Sequence, residues 1–141
     1  MARYVASVET TRPPHEAFAY LSDFSTTQEW DPGVVAARRL DDGPVRQGSE
    51  FELQARFLGR TNVLVYRIVE FTPDKAVTLR GENATVVSLD RMTFEPSAGG
   101  TRITYDADLA LKGRMRFADP LLRLAFNRVG QRALEGLRAK L

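Results

Sequence analysis

The chain has 141 residues, ordinary apolar and charged fractions (43% and 27%) and a formal net charge of +2, as expected of one globular domain around one core. With no cysteine and a single histidine, it excludes disulfides, thiol nucleophiles, cysteine zinc sites and multi-histidine metal centres. The charge is too small to argue for nucleic acid, and no segment nears the roughly 20 apolar residues of a membrane span.

The N-terminal residues lack the long apolar stretch of a signal peptide, so a cytoplasmic location is expected. Tyr4 to Thr10 alternates enough for a strand. Pro13-Pro14-His15-Glu16 then starts a short helix, with proline in the first turn and Glu16 at the positive end of the dipole. A second short helix is expected from about Ser25 to Trp30, capped from Asp23 to Thr27. Asp31-Pro32-Gly33 stops it, because Pro32 disfavours helix at Asp31 and Gly33 allows a sharp turn.

From Val34 to Leu111 nearly every segment reads as strand and turn. Val34 to Leu40 comes first. Ser49 to Leu58 follows, with Phe51, Leu53, Ala55 and Phe57 on one face and charged or polar residues on the other. Thr61 to Thr72, Ala76 to Glu82, Thr85 to Glu95 and Thr101 to Leu111 complete the sheet, separated by glycine- and proline-bearing turns. Between Lys112 and Leu141 a helical stripe emerges from Leu122, Phe126, Val129, Ala133 and Leu137. These thirty residues carry eight basic and two acidic groups.

One long amphipathic helix following one long antiparallel sheet is most simply buried if the sheet curls around it. The expectation is an α+β helix-grip fold. A curved antiparallel sheet of about seven strands surrounds the C-terminal helix, two short helices follow the first strand, and a cavity opens between sheet and helix. Its volume should be about 300–1,000 Å³ if it is an ordinary ligand pocket.

Several patterns resemble the START-like (SRPBCC) superfamily in its bacterial polyketide cyclase/dehydrase and lipid-transport branch. They are Pro14-His15-Glu16-Ala17-Phe18-Ala19-Tyr20-Leu21-Ser22-Asp23, Trp30-Asp31-Pro32, Gly48, Val69-Glu70-Phe71-Thr72-Pro73 and Gly99-Gly100-Thr101-Arg102-Ile103-Thr104-Tyr105. Leu134 and Leu137 close the last helix in the same manner. The resemblance spans the chain and implies a single ligand-binding domain, 1–141, with a pocket for a lipid, polyketide or other apolar molecule. Cyclases of that branch carry a tyrosine soon after this tryptophan. Here Val34-Val35-Ala36-Ala37 stands instead, which argues against aromatase or cyclase activity.

Arg67 is the sharpest site candidate, as the one charge on a strand face with Val63, Val65, Val69 and Phe71. If that face lines the cavity, its guanidinium meets a ligand carboxylate or carbonyl. If Leu64, Tyr66 and Ile68 face inward instead, Arg67 is solvated; a third option is an ion pair with Asp90 or Glu82. Trp30 either stacks on a ligand or seals the core. Tyr105 points inward and needs Asp90, Ser88 or a ligand as partner. Phe51, Phe57, Phe94 and Phe126 supply apolar wall. Gly130, on the apolar face of the last helix, costs about 1 kcal/mol relative to alanine; it either widens the pocket or is filled by a neighbour.

His15 and the Asp41-Asp42 turn are read as non-catalytic. Arg128, Arg132 and Arg138 form the polar face of the helix. The expected function is binding of a hydrophobic small molecule as carrier or sensor, without metal or other cofactor. The alternatives are a cyclase or dehydratase acting in the same cavity, or a partner-binding module using the basic helix. Neither nucleic acid nor stable membrane insertion is expected, and the protein should be a monomer or homodimer.

Overall fold

The computed structural model describes the backbone of residues 2–57, 59–112 and 119–141, and the side chains of all of these except 119–122. Strand β1 (Ala2–Thr10) leads into helix α1 (Pro14–Ser22), a 3-10 turn (Phe24–Thr26) and the single-turn helix α2 (Thr27–Trp30). Strands β2 (Val34–Arg39), β3 (Glu50–Phe57), β4 (Arg60–Thr72), β5 (Ala76–Glu82), β6 (Val86–Ser97) and β7 (Gly100–Leu111) follow, and then helix α3 (Asp119–Lys140). The expected second helix is thus split into a 3-10 turn and α2. Asp23 causes the split: its Oδ1 accepts from the Ser25 amide and hydroxyl at 3.1 and 2.6 Å and tightens the first turn.

All neighbouring strands pair antiparallel, in the spatial order β1-β7-β6-β5-β4-β3-β2. Short turns impose this order between β4 and β7. Asp74 takes a left-handed φ of 64° between β4 and β5, and Gly99 one of 81° between β6 and β7, conformations that aspartate tolerates and glycine adopts freely. The register shifts within β2–β3 and β4–β5, and such bulges increase twist and help a sheet curl. The outcome is the expected helix-grip architecture, a curled seven-stranded sheet with α3 packed mainly on β1 and also touching β7 and α2.

The concave side holds the core. Phe51, Ile68, Val77, Leu79, Met92 and Ile103 from five adjacent strands are almost wholly buried. Each such side chain is worth about 1.5–3 kcal/mol on removal from water. Ion pairs such as Arg102–Glu9 and Arg91–Glu70 decorate the exposed side, where screening leaves them little net effect. Apolar burial therefore decides which way each strand faces.

Two aromatic groups plug one half of the curl. Phe18 of α1 meets Phe71 and Phe94 edge-on at 5.1 and 5.2 Å between ring centres. Phe24 meets Tyr66 at 5.1 Å and Phe51 at 6.4 Å. The other half, beneath α3, is left partly open. Among the described residues no helix is long and apolar enough to cross a membrane.

Candidate functional site

The opening under α3 is a cavity of about 130 Å³, smaller than the sequence reading anticipated. Phe126, Val129 and Ala133 of the helical stripe line it, while Leu137 is sealed in the core; the Leu122 side chain lies outside the described residues. The opposite wall comes from inward positions of β3, β4, β6 and β7, among them Phe57, Leu64, Tyr66 and Leu109.

A polar cluster is set into this apolar wall. Tyr105 Oη donates to Asp90 Oδ2 at 2.5 Å, and Ser88 Oγ donates to Asp90 Oδ1 at 2.8 Å. The sheet brings them together: Asp90 pairs with Ala107 across the β6–β7 ladder, which puts Tyr105 one inward position away, and Ser88 is two residues along β6. All three are buried and line the cavity. Burial raises the Asp90 carboxyl above its ordinary value, against the lowering effect of its two donors. Burial, and next the charge of Asp90, push the Tyr105 phenol well up. The Tyr66 phenol is raised by the same two causes.

Asp31 joins the cluster from another direction. The residue takes an extended conformation after α2, as Pro32 requires, and its Oδ1 accepts from the Gly33 amide at 2.8 Å. Burial pushes its carboxyl up to about 6; the Gly33 amide opposes this and the charge of Asp90 adds to it. Two carboxyls of raised proton affinity therefore line one cavity, and Asp31 feels the charge of Asp90. Among the described residues Arg56 is the sole cation lining the cavity, and its side chain is exposed.

α3 fixes the position of Asp31 through a close backbone approach. A Cβ built on Gly136 would lie 1.8 Å from the carbonyl oxygen of Trp30, so only glycine lets the two helices meet there. Trp30 is 3% exposed, packs edge-on against Tyr105 at 6.2 Å between ring centres, and its Nε1 has no acceptor among the described residues. It adjoins the cavity cluster but does not line the cavity.

Of the sequence candidates, Phe57, Asp90, Tyr105, Phe126 and Gly130 stand on the cavity wall. Phe51 and Phe94 do not; they are consumed by the Phe24 and Phe18 clusters. The expectation for Arg67 is corrected. Leu64, Tyr66 and Ile68 take the concave face of β4, and Arg67 is exposed on the convex one with Val63, Val65 and Val69. It has no ion pair with either acid proposed for it: Asp90 is held by Tyr105 and Ser88, and Glu82 by Arg80 and Lys112.

The widening role of Gly130 is corrected too. A Cβ there would lie 2.4 Å from the Tyr4 ring, so Tyr4 fills the dent. Tyr66 covers Gly81 in the same way, at 2.6 Å from where a Cβ would be. Arg128, Arg132 and Arg138 are exposed on α3. The sequence reading missed Asp31, Tyr66 and Gly136. Asp31 enters the sequence analysis only in the helix stop Asp31-Pro32-Gly33 and in the family pattern Trp30-Asp31-Pro32. Among the described residues no group of three or more histidine or acidic side chains could hold a metal ion.

Comparisons with known proteins agree with this architecture. The fold matches a START superfamily protein of Mycobacterium smegmatis with a TM-score of 0.82 at 13% identity, covering 99% of this chain and 97% of that one. It matches the Zhui aromatase/cyclase of Streptomyces sp. R1128 with a TM-score of 0.78 at 14% identity, covering 98% and 92%. By sequence, a protein of Mycobacterium tuberculosis named as a toxin is 24% identical over 110 residues, 77% of this chain and 76% of its own length. Residues 1–141 match the family described as "Polyketide cyclase / dehydrase and lipid transport", and the chain belongs to that family.

Proposed function

We propose that this chain is a single ligand-binding domain that holds a small apolar molecule in the cavity beneath α3, as a carrier or sensor. The observation that carries this reading is the combination of an apolar chamber with a buried, directional polar cluster at Asp90, Tyr105 and Ser88. Apolar walls supply affinity and a few placed polar groups supply orientation. A volume of about 130 Å³ is close to the roughly 150 Å³ cavity that accepts benzene. The guest is therefore ring-sized, or is one end of a longer molecule. The protein acts in the cytoplasm, as monomer or homodimer, without nucleic acid. The test is native mass spectrometry of protein purified from its own host: a retained small molecule, lost on Leu134→Trp, is expected. Protein that is mass-identical to the bare chain and takes up no apolar dye would overturn the reading.

One observation favours a second reading, proton-transfer chemistry of the cyclase or dehydratase kind. Asp31, at about 6, has the affinity of a general base that works near neutrality, and the Tyr105–Asp90 pair could relay a proton. A retained molecule that changes mass when incubated with wild type, but not with Asp31→Asn, would establish turnover.

A further inference from the structure

The electrical character of the cavity runs against a carboxylate guest. Asp31 and Asp90 line the same cavity, and among the described residues that line it the one cation, Arg56, has its side chain exposed. Asp90 uses both oxygens to accept from Tyr105 and Ser88. Asp31 uses Oδ1 for the Gly33 amide, and no described side chain or amide donates to its Oδ2. Oδ2 is thus left as an acceptor, on a residue that lines both this cavity and a pocket beside Trp30, Pro32 and Gly136. The surrounding wall is aromatic, with rings from Tyr4, Phe24, Phe57, Tyr66, Tyr105 and Phe126. Ring faces attract cations, most strongly where water is excluded. Acidic anchors beside aromatic faces suit an ammonium group and repel an anion.

Resting on the reading of this cavity as a ligand site, we propose that the guest is a small apolar amine. Its ammonium end is held by Asp31 Oδ2 and the charge of Asp90, and its hydrocarbon part lies against the aromatic wall. The Asp31 carboxyl, raised by its partial burial and by the charge of Asp90, gains most when a cation enters, because the ligand supplies the missing countercharge. Amine binding should accordingly release protons from the cavity at about pH 6 and below, where Asp31 still holds one.

Three probes of nearly equal shape separate the possibilities: benzylamine as the cation, benzyl alcohol as the neutral donor and benzoate as the anion. Titration calorimetry at about pH 6, the value to which Asp31 is raised, in two buffers of different ionisation enthalpy, reads both affinity and proton release. Benzylamine is expected to bind at least about tenfold more tightly than benzyl alcohol, with benzoate weakest. Asp31→Asn, which keeps an acceptor for the Gly33 amide, should bring benzylamine to within about threefold of the alcohol measured on the same variant. Asp90→Asn offers the same comparison should the first variant fold poorly. Equal or tighter binding of the alcohol or of benzoate overturns the amine assignment and leaves the cavity reading standing. A benzylamine preference that survives both substitutions overturns the acidic anchor. Absence of binding by all three probes overturns the amine assignment, and together with a ligand-free native mass spectrum it removes the cavity reading as well.

Discussion

Asp31 couples the site to stability, and the sign can be worked out. Its folded-state value of about 6 lies above the ordinary 3.8, so between those values the folded chain holds a proton that the unfolded chain has lost. Stability supplied by this group is present below about pH 4 and is lost as pH rises toward about 6, by up to about 3 kcal/mol. Asp41 and Glu82 are lowered to about 2 by their basic partners, arginine first in each case, so their contributions have the opposite sign, are lost as pH falls below their ordinary values of 3.8 and 4.5, and cancel in a comparison of wild type with an Asp31 variant. Denaturant unfolding of wild type and Asp31→Asn across pH 4 to about 7 should therefore show curves that converge at the acid end, with the variant gaining relative stability as pH rises. Parallel curves would mean that the carboxyl is not desolvated in the folded protein.

Among the elements, α3 is the one whose contacts decide whether a cavity exists. Gly136→Ala sets two effects against each other. Alanine favours the helix by about 1 kcal/mol over glycine, but its Cβ would fall 1.8 Å from the Trp30 carbonyl, and overpacking costs about 1–3 kcal/mol. The clash concerns backbone, which yields less than a side chain end, so net destabilisation is expected in thermal unfolding. A stabilised variant would show that α2 and α3 do not meet as described. Phe126→Ala removes a ring that is buried on one side and borders open space on the other. Its cost should fall near the low end of the about 3–5 kcal/mol seen for packed phenylalanines. A loss below about 1 kcal/mol would put the wrong face of α3 on the sheet.

At the scale of the whole molecule, the fold was legible because its signals are periodic. The alternation in β3 and the three- and four-residue stripe of α3 each have one apolar face, so each states which side is buried. β4 does not. Val63, Val65 and Val69 on its convex face are as apolar as Leu64 and Ile68 on its concave face, and the strand's own pattern could not decide the direction of Arg67. Alternation in Thr101–Leu111 did place Tyr105 inward, and its Asp90 partner was among those foreseen. Asp31 and Gly136 were illegible for a different reason. Their local roles, a helix stop and a weak helix residue, are readable, but their importance depends on where α2 and α3 meet in space.

The pairing of the first strand with the last gives the molecule an order of events. Ala2–Thr10 has its ladder partners at Thr101–Leu109, and α3 packs on β1. During synthesis from the N-terminus, β1 must wait for about a hundred residues before it can pair, and long-range pairing of this kind makes folding slow. The concave face, with its aromatic rings and its two acids, stays uncovered until Asp119–Lys140 has emerged. The cavity is thus the last part of the molecule to be made, and a nascent chain stalled before α3 would display as open surface the same groups that the finished protein covers.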